Sequence, residues 1–195
     1  MPPQELPSPI KKIYLAVAVL LLCAGAFALW VYPGIQTSTE TPPTESSLTL
    51  YTNADYKIAF SYPDTYTLES HDIDITGMEG VSLVLMPKGV TLPEAGEGPP
   101  TVTVAIFKNL TQIPLAEWIQ TISGMIPPTD GWDYTEVSVG GEEAIAYTAT
   151  GLYESDNVVV ARGGYIYLFS ASWLTREDAT LKDLATLLST VSFTK

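Results

Sequence analysis

Apolar and polar residues alternate along much of the chain after residue 47, which is typical of β-strands. Ile58, Phe60 and Tyr62 fall at every second position and therefore share one face of a strand. Pro63–Asp64 is a pair of turn residues that ends this strand, and a return strand is expected from Tyr66. The segment therefore predicts an opening hairpin.

Further strands are expected where apolar runs or paired glycines occur. They cover Glu79–Pro87, Thr101–Lys108, two strands around Gly140–Gly141 and a hairpin that turns at Gly163–Gly164. Both faces of Tyr165–Phe169 are apolar, which indicates a central strand that is covered on both sides.

Two stretches have helical periodicity instead, with an apolar stripe along one face. The stripes consist of Leu115, Trp118, Ile119 and Ile122 in the first stretch and of Leu181, Leu184, Ala185 and Leu188 in the second. Thr175 and Asp178 are spaced as in a capping box, so the second helix is expected to begin there. Strands joined by hairpins, with helices to cover them, predict an antiparallel α+β domain.

An apolar segment without charges, Ile13–Tyr32, lies near the N-terminus. As a helix it would be about 30 Å long, which matches the hydrocarbon core of a bilayer. Lys11 and Lys12 precede it and no basic residue follows until Lys57, so the positive-inside rule places residues 1–12 in the cytoplasm and the rest of the chain outside. We therefore expect residues 13–32 to be a transmembrane signal anchor.

Two alternatives remain open for this segment. Ala26 and Ala28 are small residues spaced as at a signal-peptidase site, so cleavage there would give a secreted protein. Cys23, the single cysteine, follows an apolar run as lipidated cysteines do, but Leu22 is bulkier than the small residue that lipoprotein signals have at that place. Residues 33–47 are rich in Pro, Ser, Thr and Glu and are a predicted linker, about 20 Å across if flexible. Residues 48–195 are then the extracytoplasmic domain.

The negative net charge of the chain excludes some classes of binding partner. The 195-residue chain has a formal net charge of -13, and residues 33–195 carry 7 basic and 21 acidic side chains, a balance of -14. Such a surface repels phosphate backbones, so no nucleic-acid binding is expected. Anionic lipids do not attract it either, so attachment to a membrane would have to be hydrophobic, through residues 13–32.

The alternating stretch also resembles a known family. In the motif YKIAFSYPDTY an aromatic, alternating strand leads into Tyr-Pro and a further aromatic residue, which is similar to the first hairpin of PsbP-like domains. The matching residues are Tyr56, Ile58, Phe60, Tyr62, Pro63 and Tyr66, the last of which is usually Trp in the family. The motifs PLAEWIQ, GGYIYLFSASW and LATLLSTVSF follow in order, so the resemblance covers most of residues 48–195.

This resemblance implies an α-β-α sandwich, in which helices cover both faces of a central antiparallel sheet. The expected fold class is therefore an α+β sandwich of this kind, preceded by one N-terminal transmembrane helix. Members of the family also occur as membrane-tethered bacterial proteins of unknown role, and a fold does not determine a function.

Asp72 and Asp74 are the candidate metal ligands. On a strand they share one face while His71 points to the other, and two exposed carboxylates could hold calcium or manganese weakly. A solvated strand end is the simpler interpretation. Glu94 and Glu97 lie in an acidic loop that could bind a cation or a basic partner, or only be solvated.

No catalytic set is found in the sequence, so no enzyme and no cofactor are expected. His71 is the only histidine, and neither a G-x-S-x-G motif nor a phosphate-binding glycine loop occurs. Asn109–Thr111 is a glycosylation sequon, which matters only in a eukaryotic secretory route.

Two functional hypotheses follow, with a hydrolase a distant third. In the first, the chain is a membrane-anchored accessory domain that binds a protein partner in the cell envelope and has no catalytic activity. In the second, acidic side chains such as Asp72 and Asp74 bind a metal ion or a small ligand.

Overall fold

The computed structural model describes residues 47–75, 78–90, 98–121 and 134–194. Strands account for 58% of these residues. The strands are β1 (Leu48–Asn53), β2 (Ile58–Pro63), β3 (Tyr66–Ile75), β4 (Met78–Pro87), β5 (Val102–Lys108), β6 (Tyr134–Val139), β7 (Glu142–Thr150), β8 (Glu154–Arg162), β9 (Tyr165–Trp173) and β10 (Ser192–Phe193). The described helices are α1 (Leu115–Thr121) and α2 (Ala179–Thr190).

The strands form two antiparallel sheets. The small sheet has the order β1-β2-β10, so that β10, from the end of the chain, pairs with β2, from its beginning. The large sheet has the order β3-β4-β5-β9-β8-β7-β6, which places β9 in the centre as its two apolar faces predicted. The predicted hairpin turns at Gly140–Gly141 and Gly163–Gly164 are confirmed, and all four glycines have positive φ, as type I′ turns require.

Apolar side chains cover both faces of the large sheet. On one face, Ile58 and Phe60 of the small sheet and Leu184 of α2 pack in one cluster with Tyr167 and Phe169 of β9. On the other face, α1 packs against the sheet with a second cluster, which comprises Trp118, Ile119, Phe107, Ile166 and Leu168. The small sheet and α2 therefore share the same face of the large sheet.

The expected fold class, an α+β α-β-α sandwich, is wrong. The described chain is mostly β, and its second layer is built largely by another sheet rather than by helices. The alternation of Ile58, Phe60 and Tyr62 shows which side chains of β2 share a face but not which strands are its neighbours, so it does not distinguish one sheet from two. No helix among the described residues is long and apolar enough to span a membrane, and the predicted anchor at residues 13–32 lies outside them.

The predicted opening hairpin is also wrong. β2 ends at Pro63 and β3 begins at Tyr66, but β2 pairs with β1 and β10 whereas β3 pairs with β4. The turn at Asp64 is therefore a corner where the chain passes from the small sheet to the large one.

The predicted start of the second helix needs a smaller correction. The helix begins at Ala179, and Asp178 at its N-cap makes no side-chain bond to the helix. Instead the Asp178 carboxylate accepts hydrogen bonds from the Leu174 and Thr175 amides, at 2.6 and 3.3 Å. These bonds lower the pKa of Asp178. They stabilise the turn before α2, so the predicted capping box does not form. Of the first helix, the predicted stripe residue Ile122 lies outside the described residues.

Candidate functional site

A cavity of about 290 Å³ lies where β3, β4 and β5 meet the turn between β1 and β2. It is lined by Tyr56, Asp72, Ile73, Asp74, Glu79, Gly80 and Lys108. We call it the carboxylate cavity. It contains both of the metal ligands that the sequence predicts.

Asp72 and Asp74 reach this cavity because of strand geometry. Both are exposed on β3, and alternation places them on one face, as predicted. Asp74 lies directly opposite Glu79 of β4, so Glu79 also lines the cavity. His71 is on the opposite face of β3, where its Nε2 is 3.5 Å from Glu69 Oε2, so it does not contribute to the cavity.

One of these carboxylates already has a cationic partner. Lys108, at the end of β5, places its Nζ 2.6 Å from Glu79 Oε2. The hydrogen bond and charge of Lys108 lower the pKa of Glu79, and Glu79 in turn raises the pKa of Lys108. The pair is exposed, so it fixes the position of the two side chains more than it stabilises the fold.

Tyr56 closes the cavity from the side of the small sheet. Its amide donates to Asn53 Oδ1 at 3.0 Å, and the Tyr167 hydroxyl donates to its carbonyl at 2.8 Å. Its ring meets the Tyr165 ring edge to face, with centroids 5.7 Å apart. Burial raises the pKa of Tyr56, and the nearby charge of Asp72 raises it further. The phenol is therefore neutral at physiological pH.

The cavity thus combines carboxylates, an ammonium group and a phenol in an open, polar site. Among the described residues there is no group of three or more His, Cys, Asp or Glu side chains placed to hold a metal ion. Glu94 and Glu97, the other predicted cation ligands, lie outside the described residues. Any cation in the cavity would rest mainly on Asp72 and Asp74, since Glu79 is paired with Lys108.

Sequence analysis did not identify Tyr56, Glu79 or Lys108 as members of this site. Asp74 and Glu79 are five positions apart, which alone suggests no contact, and Lys108 is a further 29 positions along the chain. The one available signal was that Asp74 and Glu79 flank the short β3–β4 turn, since residues at equal distances from a hairpin turn face each other.

A second cavity, of about 460 Å³, lies beside the Gly163–Gly164 turn and the segment that leads into α1. Of the residues that line it, only Arg162 is charged. Its guanidinium lies 2.9 Å from Glu142 Oε1 and 5.3 Å from the centroid of the Phe193 ring. Arg162 is therefore already held by partners in its own fold.

Asn109, the acceptor residue of the glycosylation sequon, also lines the second cavity. Its side chain is only 6% exposed. Its amide nitrogen donates to the Ile113 carbonyl at 3.2 Å, and its Oδ1 accepts from the Ile113 amide at 2.9 Å. Asn109 is thus a structural residue of the turn before α1, and its side-chain nitrogen is buried and hydrogen-bonded in the folded domain.

A polar cluster lies at the far end of the large sheet, between β7, β8, β9 and the turn before α2. Asp156 accepts hydrogen bonds from Thr148, Trp173 Nε1 and Arg176, at 3.0, 3.2 and 2.7 Å. The Arg176 guanidinium also stacks over the Trp173 ring, 4.1 Å from its centroid. The partners of these groups lie within the cluster, which holds the end of β9 in place.

The fold and the site define a mostly β, two-sheet protein with an open cavity lined by carboxylates. No protein-family model matches the chain, and no curated protein matches it. Among solved structures, it is similar to the solution structure of cyanobacterial PsbP (CyanoP) from Synechocystis sp. PCC 6803, with 14% identity and a TM-score of 0.47 over 76% of this chain and 93% of that one. At this identity and TM-score the likeness carries no argument about the fold family or the function of this chain.

Proposed function

We propose that the chain is a membrane-anchored accessory protein whose domain, residues 48–195, lies outside the cytoplasm and binds an envelope protein without catalysing a reaction. The observation that carries the proposal is the order of segments along the chain. A span of twenty apolar residues follows two lysines, and a Pro- and Thr-rich linker separates it from a strand-rich domain. This order is typical of a domain held at a membrane surface.

Topology is tested with cysteine labelling in intact cells. In a Cys23→Ala background, Leu152→Cys provides a thiol on a side chain that is 68% exposed, and Ser8→Cys provides one in the predicted cytoplasmic tail. A membrane-impermeant maleimide should label position 152 in intact cells and position 8 only after permeabilisation. The opposite pattern would refute the proposed orientation. The mass of the mature chain without substitutions, in which Cys23 is present, distinguishes a retained anchor from cleavage after Ala28 and from lipidation of Cys23.

The partner is tested by mild cross-linking in the native membrane, followed by capture of the anchored full-length chain. A reproducible envelope protein that is lost when residues 48–195 are deleted would establish the accessory role. The matched control is the soluble fragment 48–195, which we expect to fold alone. An unfolded fragment would contradict the division into tether and domain.

A second candidate function is weak binding of calcium or manganese in the carboxylate cavity. It is favoured by one observation, that Asp72 and Asp74 line the same cavity on the same face of β3. Calorimetric titration should then give heat that disappears in Asp72→Asn and Asp74→Asn but remains in Glu69→Gln, which changes the opposite face. No heat with either ion in the unaltered protein would eliminate this candidate.

A further inference from the structure

The edges of the two described sheets differ in how they are protected from pairing with another strand. The edge strand β3 carries Glu69, Asp72 and Asp74, and the edge strand β6 carries Glu136. β10 is only two residues long. Charges and short length both discourage pairing at an edge. β1, with the sequence LTLYTN, has six residues and no charge, so it lacks both kinds of protection.

The backbone groups on the free side of β1 can be identified from its pairing with β2. Asp64 donates its amide to the Ser47 carbonyl at 2.8 Å, so these opposed residues form a hydrogen-bonded pair. In an antiparallel ladder such pairs alternate with pairs whose amides and carbonyls point outward. Leu48, Leu50 and Thr52 therefore direct their N–H and C=O groups to the free edge, where no strand of the described chain pairs with β1.

The side chains around this edge are neutral as well. Leu48 and Leu50 are 48% and 67% exposed. The register places Ala59, Ser61 and Ser192 on the same outer face of the small sheet as Leu50. This face thus has no charged residue, on a domain (residues 48–195) with 19 acidic side chains.

We propose that β1 pairs antiparallel with β1 of a second copy of this chain, about a two-fold axis at Leu50. Leu50 then faces Leu50 of the second copy, and Leu48 faces its Thr52. This register is the one that pairs all three outward-facing residues, and it places the exposed leucines on one face of a continuous six-stranded sheet. The proposal rests on the proposed function, because it requires two anchored chains in one membrane.

The charge of the domain and the length of residues 33–47 favour a second copy of the chain as the partner of the β1 edge. Two such acidic domains repel each other over most of their surfaces, and the β1 edge is a place where they can meet without opposing charges. Antiparallel pairing of six residues leaves the two strand starts about 20 Å apart, which residues 33–47 can span to anchors in the same bilayer. A single strand pair is a small interface, at or below the about 1,200 Å² of stable complexes, so confinement to a membrane would be needed to populate it.

Cysteine cross-linking of the full chain in its membrane tests both the pairing and the register. In the Cys23→Ala background, Leu50→Cys places two Cα atoms about 5.5 Å apart across the axis, within the about 4.4–6.8 Å of disulfides. Leu152→Cys is the matched control, because Leu152 is 68% exposed and lies on the β7–β8 turn. Under mild oxidation Leu50→Cys should form at least about tenfold more disulfide dimer than Leu152→Cys, because pairing raises the effective concentration at the axis.

The register is tested with chains that carry Leu48→Cys or Thr52→Cys. Each variant alone should give no more dimer than the Leu152→Cys control, whereas co-expression of the two should give the mixed dimer. A strong dimer from Leu48→Cys alone would indicate parallel pairing or an antiparallel register centred on Leu48, and either would overturn the proposal.

Other outcomes are equally decisive. Equal cross-linking at positions 50 and 152, or none at position 50, would overturn the inferred dimer but leave the accessory role intact. Cross-linking of position 50 to a different protein would also overturn it, and would identify the β1 edge as the partner site instead. Fractionation of the same sample reports on the anchor: a chain absent from the membrane would remove the proposed function and the anchored dimer with it.

Discussion

Gly80 allows a close approach between β4 and β5 that no other residue could make. A Cβ atom at this position would lie 2.1 Å from the carbonyl oxygen of Ile106 and 3.1 Å from the Cα of Phe107, both backbone atoms of the neighbouring strand. Since a Cβ atom essentially never lies closer than 3.0 Å to another atom, Gly80→Ala would force β4 and β5 apart by about 1 Å. Gly80 also lines the carboxylate cavity, so the same shift would move Glu79 away from Lys108.

The expected cost follows from these contacts. Overpacking of a well-packed interior costs about 1–3 kcal/mol. Weakening one or two β4–β5 hydrogen bonds adds about 1 kcal/mol each, and the reduced entropy of the unfolded chain returns about 0.4–1 kcal/mol. We therefore expect Gly80→Ala to lower the free energy of unfolding by about 1–5 kcal/mol.

Urea unfolding of the fragment 48–195, followed by tryptophan fluorescence, measures this change. The matched control is Gly151→Ala, because the nearest atom to a Cβ there is Tyr153 O at 3.5 Å, an ordinary contact. Gly151→Ala should change the free energy by less than about 1 kcal/mol. Equal stability of the two variants would refute the close approach of β4 and β5, since of the two only Gly80 would place a Cβ within 3.0 Å of a backbone atom.

Two further predictions concern Asn109 and the buried tyrosines. Asn109→Ala removes both hydrogen bonds to Ile113 and should lower the free energy of unfolding, measured by chemical denaturation, by about 1–3 kcal/mol. The control Thr111→Ala, at an exposed residue of the same sequon, should be near neutral. A glycan on Asn109 after secretion from a eukaryotic host would contradict its buried position. Burial raises the pKa of Tyr147 and Tyr167 from 10.0 to about 12, so their neutral forms stabilise the fold below pH 10.0, and this stability should fall as the pH rises toward about 12. A melting temperature that stays constant over this alkaline range would contradict the burial of these phenols.

Local patterns were sufficient to predict most individual elements. The paired glycines of the two hairpins have the backbone freedom that type I′ turns require, and each turn lies where it was expected. The two apolar faces of Tyr165–Phe169 correctly placed β9 in the centre of a sheet. In each case the information lies within a few neighbouring residues.

Errors arose where structure depends on distant pairing. β2 has the alternation of a hairpin strand, but its neighbours are β1 and β10, and Phe193 of β10 comes from the other end of the chain. The choice between β3 and β10 as the partner of β2 depends on which apolar surfaces fit together, and periodicity does not encode this. The predicted pairing of β2 with the strand after Asp64 was wrong for this reason.

The candidate site shows the same limit. The two-residue periodicity of a strand was enough to place Asp72 and Asp74 on one face. Which other side chains line the carboxylate cavity depends on strand register and on the contact between the two sheets, and these bring Glu79, Lys108 and Tyr56 there. Lys108 changes the chemistry of the site most, because it offsets one of its three carboxylates.

The distribution of charge explains why the small sheet is the part of the domain most suited to contacts. Acidic residues lie on both edge strands of the large sheet, where they keep those edges soluble and unpaired. The outer face of the small sheet has none, although its leucines are exposed. Residues 48–195 have a charge balance of -12, so one neutral face costs the domain little solubility, and this face begins at Leu48. Substitution of Leu50 by lysine should therefore abolish pairing at β1 while leaving the fold intact, because the side chain is exposed in the monomer.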